Sequence, residues 1–221
     1  MTTDDLAELL ARARVLLLDF DGPICSLFAR HSAPSVADRL RGILEQHGVK
    51  IPTDLREVRD PLAVLRFSDG TAAQYPVEEA QVAAEVLAAA TAEPTPGAAE
   101  VIAKASRTGR LLAVVSNNSA AAVDSYLDRM NLAGAFSAVV GRPAREPRWM
   151  KPHPQAVLSA LRALDVGPEG ALMVGDAATD VLAAHSAGVP VVGYASRLNK
   201  YEALAEADVI VTSMVAIANA L

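Results

Sequence analysis

Two carboxylates one residue apart, Asp19 and Asp21, end the apolar run Val15-Leu16-Leu17-Leu18 and are followed at once by Gly22. A second acidic pair, Asp176 and Asp180, follows another apolar run, Ala171-Leu172-Met173-Val174-Gly175. A short continuous apolar run stopped by a glycine turn fits a strand buried on both faces, as in a parallel sheet. Ligands of such sheets bind beyond the carboxyl ends of the strands. Side chains alternate along a strand, but the chain bends as it leaves the sheet, so Asp19 and Asp21 can both face one crevice. With a divalent metal nearby, one carboxylate can act as nucleophile while the other passes protons. The competing reading is an Asp-rich turn after a core strand, and the first pair alone does not choose between them. Asp176 and Asp180, four residues apart across a strand-to-helix turn, can point toward the same spot. Oxygen ligands from several strand ends are what Mg²⁺ requires, whereas Asp180 can also serve simply to cap a helix starting at Val181.

Two further segments offer complementary groups. Strand Leu111 to Val115 runs into Ser116-Asn117-Asn118-Ser119, where a hydroxyl, an amide and free backbone N–H groups suit a phosphate or carboxylate oxygen. The plainer alternative is a turn with Ser119 as the N-cap of the next helix. In Met150-Lys151-Pro152-His153-Pro154 the prolines fix the backbone and aim Lys151 out of a loop. A lysine there is either solvated surface or, held among carboxylates, an offset to their repulsion and an anion ligand. His153, between prolines, reads as packing or surface.

These residues need a scaffold that brings several strand ends together. From Ala98 onward helices and strands alternate: helix Ala98 to Ser106, strand Leu111 to Val115, helix Ala120 to Met130, strand Ala138 to Val140, helix Gln155 to Leu164. Strand Ala171 to Val174, helix Val181 to Ala187, strand Val189 to Gly193, strand Ala207 to Val211 and a last short helix follow. Alternation of this kind predicts an α/β fold, a Rossmann-like parallel sheet core covered by helices on both faces. Between Ala33 and Ala92 the pattern is helical throughout, with one apolar stripe at Val36, Leu40, Ile43, Leu44 and His47 and others over Leu62 to Phe67 and Val77 to Leu87. Glu93-Pro94-Thr95-Pro96-Gly97 then reads as a stiff linker. The helical block interrupts the alternation directly after the first strand, so it is expected to be a small all-helical domain inserted over the carboxyl edge of the sheet. Ahead of everything, Leu6, Leu9, Leu10 and Ala13 have helical spacing, with Asp4 or Asp5 suited to cap that helix.

Composition narrows the function classes. The chain has 221 residues, 52% of them hydrophobic, enough to bury a sizeable core as one large domain or one domain with an insertion. A net charge of -6 without a concentrated Lys/Arg run argues against a nucleic-acid or anionic-membrane partner. Cys25 is the only cysteine, so no intramolecular disulfide can form and a reducing, cytoplasmic setting is expected. A lone cysteine there reads as buried filler rather than a nucleophile. No apolar run approaches the ~20 residues needed to span a bilayer, and the acidic start Met1-Thr2-Thr3-Asp4-Asp5 is unlike an export signal. Sequence fingerprints of P-loop, dinucleotide-binding, serine-hydrolase and zinc sites are all missing.

Taken in order, the four segments resemble the haloacid dehalogenase-like (HAD) superfamily of hydrolases, in its phosphoglycolate phosphatase and β-phosphoglucomutase branch. Asp19-Phe20-Asp21-Gly22 matches the family's Asp-x-Asp-Gly, Ser116 its Ser or Thr closing the second strand, Lys151 its lysine, and Gly175, Asp176 and Asp180 its closing Gly-Asp-x-x-x-Asp. The chain departs from a common form in Pro23, where Thr or Val is frequent. The resemblance implies core residues 1–24 and 94–221 with a helical cap at 25–93. It also implies a Mg²⁺-dependent phosphatase acting on a small phosphorylated metabolite, with Asp19 as nucleophile and Asp21 as acid and base. Metal ligation would fall to Asp19, Asp21 through its backbone carbonyl, Asp176 and Asp180; Gly22, Ser116, Asn117 and Lys151 would hold the substrate. An acid at position 21 points away from dehalogenation and toward phosphoryl transfer. A phosphomutase would need a second anion site among Arg30, Arg39, Arg56, Arg59 or Arg66. A non-catalytic binding or regulatory module on the same fold is the remaining alternative.

Overall fold

The computed structural model describes residues 3–221, so Met1, Thr2 and the side chain of the candidate cap Asp4 lie outside the described residues. From the amino terminus run α1 (Thr3–Arg12), β1 (Val15–Leu18) and β2 (Cys25–Ser26), then four helices, α2 (Ala33–Gln46), α3 (Thr53–Arg56), α4 (Pro61–Phe67) and α5 (Gln74–Ala89). After β3 (Glu93–Pro94) come α6 (Ala98–Arg107), β4 (Leu111–Val115), α7 (Ala120–Arg129), β5 (Ala138–Val140) and α8 (Gln155–Leu164). The chain closes with β6 (Ala171–Gly175), α9 (Ala178–Ser186), β7 (Val191–Tyr194), β8 (Val209–Val211) and α10 (Met214–Ala220). Asp5 lies inside α1 rather than ahead of it.

Six strands form one parallel sheet in the order β5-β4-β1-β6-β7-β8. The chain fills one side of β1 with β4 and β5, then crosses back to fill the other side from β6 outward. That reversal opens a crevice at the carboxyl ends of β4, β1 and β6. The alternation of β1 explains why it is apolar throughout: Leu16 and Leu18 enter one buried cluster with α1, α6, α7 and α10, while Val15 and Leu17 enter another with α8 and α9. A strand sandwiched this way has no solvent face on which to carry polar residues.

The helices between β2 and β3 have their own apolar cluster, built from Leu40 and Leu44 of α2, Val64 and Leu65 of α4 and Val77 of α5. Their ends are set locally. Ser32 accepts from the Ser35 N–H at the start of α2, and Asp60 accepts from the Leu62 N–H at the start of α4, where Pro61 occupies the first helical position. α5 serves both sides: Val77 packs among the inserted helices and Ala88 and Ala89 pack in the sheet's own cluster. Met150, from the loop after β5, is buried among the inserted helices.

Several boundaries differ from the sequence reading. Glu93-Pro94 is not merely a linker but pairs antiparallel with Cys25-Ser26, tying together the two crossings into and out of the helical block. α9 starts at Ala178, three residues early, because Asp180 reaches back to the N–H groups ahead of it. β7 and β8 begin two residues later than expected, at Val191 and Val209. No helix among the described residues is long and apolar enough to cross a membrane.

Candidate active site

Asp19 is the last residue that the sheet holds at the end of β1, its N–H donating to the Val174 carbonyl at 2.9 Å. The chain then folds into a tight turn in which the N–H groups of Ile24 and Cys25 both reach the Phe20 carbonyl. Gly22 sits in this turn at φ +118°, and a Cβ on it would fall 2.3 Å from Asp176 Cγ. Only glycine lets the ends of β1 and β6 approach this closely.

Lys151 fills the gap between three strand ends. Its ammonium is 2.9 Å from Asp19 Oδ1 and 2.6 Å from Asp180 Oδ1, and donates to the Val115 carbonyl at 2.8 Å. The side chain is 1% exposed, so the alternative of a solvated surface lysine is excluded. Burial alone would lower its pKa, but the carboxylates of Asp180 and Asp19 outweigh burial and hold it above its ordinary value. The residue is therefore a fixed positive charge.

The carboxylates behave in the opposite sense. Burial first, then the charges of Asp180 and Asp176, push Asp19 above the usual carboxylate range, with Lys151 pulling the other way. Burial also lifts Asp21 to about 6, against the Leu27 N–H that donates to its Oδ1 at 2.9 Å. Asp176 is lifted to about 6 by burial, even though the Lys200 ammonium pairs with its Oδ2. Asp180 differs from both: its Oδ2 accepts from the N–H groups of Asp176 and Ala177, each at 3.0 Å, while Oδ1 faces Lys151. Asp180 is a first-turn residue whose side chain organises the end of β6, not the cap of a helix beginning after it.

Carboxylate oxygens of Asp19, Asp176 and Asp180 lie within 4.8 Å of one another. An all-oxygen set of desolvated carboxylates fits a hard divalent cation, so the residues present suit Mg²⁺. Asp19 and Asp176 are the freer donors, because both oxygens of Asp180 already have partners. The Asp21 side chain stands outside this group of three.

Ser116 and Asn117 have distinct surroundings. Ser116 Oγ is buried, accepting from the Asn118 N–H at 3.1 Å and lying 3.2 Å from Asn118 Oδ1. The Asn117 side chain clamps the backbone of Lys151, its Oδ1 accepting from the Lys151 N–H at 2.7 Å and its Nδ2 donating to the Lys151 carbonyl at 3.0 Å. Ser119 caps α7, as expected. His153 packs edge-on against Trp149 and accepts from the Gln155 N–H. Cys25 is buried, and burial pushes its thiol pKa upward, so it has no nucleophilic character.

All of these strand ends open into one cavity of about 650 Å³. Asp19, Asp21, Ser116, Asn117, Lys151, Asp176 and Asp180 line its floor, and Phe28, from the loop ahead of α2, roofs it together with Arg59, Leu62 and Arg66 of the inserted block. Gly22 is not on this cavity but lines an adjoining hollow with Asp21, Asp176 and Lys200. Sequence reasoning overlooked Lys200. It follows β7, so the rule that strand ends carry the site, applied to one more strand, would have flagged it.

Residues 61–194 match the family described as haloacid dehalogenase-like hydrolase. That stretch takes in Ser116, Lys151, Asp176 and Asp180, whereas Asp19 and Asp21 precede it. Phosphoglycolate phosphatase of Salmonella choleraesuis (strain SC-B67) is 35% identical over 120 residues, 53% of this chain and 47% of that protein. The Escherichia coli (strain K12) phosphoglycolate phosphatase is 32% identical over 121 residues, 54% and 47% of the two chains. The match thus spans about half the length of these relatives. Among solved structures, CbbY from Rhodobacter sphaeroides in complex with phosphate superimposes with a TM-score of 0.70 at 22% identity, over 92% of this chain and 95% of that one. β-Phosphoglucomutase from Clostridium difficile gives 0.68 at 20% identity over 92% of each chain. These two likenesses establish the fold.

Proposed function

The chain belongs to the haloacid dehalogenase-like hydrolase family, and from that premise we propose that it is a Mg²⁺-dependent phosphatase of a small phosphorylated metabolite. The observation that carries the reading is the Lys151 ammonium wedged between Asp19 and Asp180 at the floor of a cavity that Asp21, Asp176 and Ser116 also line. A desolvated carboxylate beside a fixed cation is suited to attack a phosphoryl group whose negative charge the same cation attracts.

An oxygen of Asp19 attacks phosphorus in line with the ester oxygen, forming an aspartyl-phosphate as the P–O bond to the alcohol breaks. Asp21, with a pKa lifted to about 6, gives its proton to the departing oxygen. It then takes a proton from water, which attacks the acyl-phosphate, releases inorganic phosphate and restores the Asp19 carboxylate. Asp19, Asp176 and the main-chain carbonyl of Asp21 would hold Mg²⁺, whose charge, when bound, offsets repulsion between the nucleophile and the phosphoryl oxygens. Ser116 Oγ and the Lys151 ammonium contribute donors to those oxygens. Asn117 acts on the substrate through Lys151, since its amide is engaged with that residue's backbone. In this reading residues 25–93 form the cap that sets specificity, residues 1–24 and 94–221 form the core, and the single cysteine suits the cytoplasm.

Phosphoglycolate is the first substrate to try, because that is the substrate named by the relatives. Turnover of a panel of phosphate monoesters with and without Mg²⁺ tests the reading, and the absence of turnover in every case would sink it. One observation keeps the phosphomutase reading in view. Of the five candidate arginines only Arg59 and Arg66 line the cavity; Arg66 donates to the Lys151 carbonyl, while Arg59 makes no ion pair with any of the described residues. Arg30 pairs with Glu93 and Arg39 lines a separate hollow. A free guanidinium in the roof suits a second anionic group on the substrate. Conversion of a hexose 1-phosphate to the 6-phosphate, rather than release of phosphate, would favour the mutase.

A further inference from the structure

We infer that Arg142 is a positioning residue for the reaction proposed above: it fixes Asn117, and through Asn117 both Lys151 and the turn that carries Ser116. Arg142 follows β5 in a loop, and its guanidinium is 0% exposed. Two acids of α5 hold it, Glu78 at 2.9 Å and Glu85 at 2.9 Å. What remains of its donor fork is aimed at the site, where Nη1 donates to the Asn117 carbonyl at 2.8 Å. Its own N–H donates to the Asn118 carbonyl at 2.8 Å, and Glu85 Oε2 accepts from the Ser119 N–H at 2.9 Å. Each backbone unit from Asn117 to Ser119 is thus tied to Arg142 or to its partner. Gly141 lets this happen, since a Cβ there would lie 2.4 Å from the Ala120 N and 2.9 Å from the Asn118 carbonyl oxygen.

The chain of contacts continues to the chemistry. Asn117 passes the restraint on through its amide, which clamps Lys151 at both N–H and C=O, and the Lys151 ammonium then meets Asp19. Burying an arginine and two carboxylates gains little stability over an apolar cluster of the same volume. What the charged version adds is direction, because a planar guanidinium fixes where its partners sit. An apolar cluster would hold α5 on the core equally well yet leave the Asn117 carbonyl free to turn.

The two acids give an internal control. Among the described residues Glu78 has a polar contact only with Arg142, whereas Glu85 also accepts from Gln81, Asn118 and Ser119. With the wild type and Arg142→Met, Arg142→Lys and Glu78→Gln, kcat and KM for an aryl phosphate in Mg²⁺ and the inhibition constant of inorganic phosphate are measured well below each melting temperature. Arg142→Met is expected to lower kcat about 10–100-fold and to weaken phosphate inhibition, with Arg142→Lys recovering part of both. Glu78→Gln is expected to lower the melting temperature and leave the phosphate inhibition constant unchanged. If the folded Arg142→Met protein keeps kcat and the phosphate constant within about twofold of wild type, the network is only structural glue and the inference is overturned. The inference rests on the phosphatase reading, and a wild type that neither turns over the ester nor binds phosphate in calorimetry overturns both. An active wild type with an unchanged Arg142→Met protein overturns this inference alone.

Discussion

Two buried cations, each between two carboxylates, stand at opposite ends of one network, and they are built from different residues. Lys151 lies between Asp19 and Asp180 on the floor of the cavity; Arg142 lies between Glu78 and Glu85 in the interior. A lysine ammonium is a compact charge that can reorient toward an arriving anion, whereas the arginine fork commits its donors to fixed directions. The difference teaches where charge is to be shared with a ligand and where it is to hold a shape. If that contrast is right, damage at the two ends must differ in kind.

The largest effect is expected at Asp19, the proposed nucleophile. Asp19→Asn leaves a side chain of the same size that cannot form an acyl-phosphate, so turnover should vanish while far-ultraviolet circular dichroism is unchanged. Full activity in that variant would end the comparison, because the Lys151 cluster would then not be the chemical one.

Next come the two cations themselves. Removing either strands buried carboxylates, which costs about 3–5 kcal/mol. Their responses to Mg²⁺ should separate them. A divalent cation bound beside Asp19 and Asp176, as proposed, would offset the charge that Lys151→Met uncovers, so Mg²⁺ should recover much of that variant's melting temperature. No cavity carboxylate is involved in the Arg142 cluster, and Mg²⁺ should do for Arg142→Met only what it does for the wild type. Equal recovery in both variants would dissolve the distinction.

The two clusters also differ in how legible they are in the sequence. Asp19 and Asp176 each end an apolar run, so their place at a strand end can be read from neighbours, whereas Lys151 in its proline-bounded loop and Asp180 four residues past Asp176 join them only through the resemblance. The parallel sheet is legible for the same reason: a strand without a solvent face is apolar at every position. Arg142 also follows an apolar run and a glycine, Val139-Val140-Gly141, but Glu78 and Glu85, the acids that bury it, carry no such mark. On α5 the two acids look like the solvated face of an amphipathic helix, and only the packing of α5 against α7 turns that face inward. The pairing of Cys25-Ser26 with Glu93-Pro94 is hidden likewise, since two residues are too short for any periodicity and the partner contains a proline.

Proton binding gives a smaller but sharper contrast. Asp21 and Asp176 have pKa values of about 6 in the folded, metal-free protein against 3.8 in an unfolded chain. The folded state therefore holds more protons across that window, and the stability these groups contribute, full below pH 3.8, is lost as pH rises toward 6 and beyond. Metal-free melting temperature should fall from about pH 4 to pH 6 and level off above that, Asp176→Asn should flatten part of the slope, and Mg²⁺ should stabilise more at the upper end than at the lower. A slope that Asp176→Asn leaves untouched would place the titration elsewhere.

The smallest effect belongs to a pair with the same chemistry and the same spacing but without burial. Arg30 and Glu93 are 2.9 Å apart, with side chains 67% and 53% exposed, and they bridge the two crossings between the sheet and the inserted helices. In water the attraction at that distance is screened and the two side chains surrender rotamer freedom to meet, so exposed pairs of this kind are worth about 0–1 kcal/mol. Arg30→Ala should therefore change the unfolding free energy read from urea denaturation by less than about 1 kcal/mol and leave turnover unchanged. A larger loss of stability would mean that the crossing depends on this pair. A change in KM without one would mean that the pair governs how the inserted helices sit over the cavity, and burial would no longer be what sets Lys151 and Arg142 apart from the surface charges.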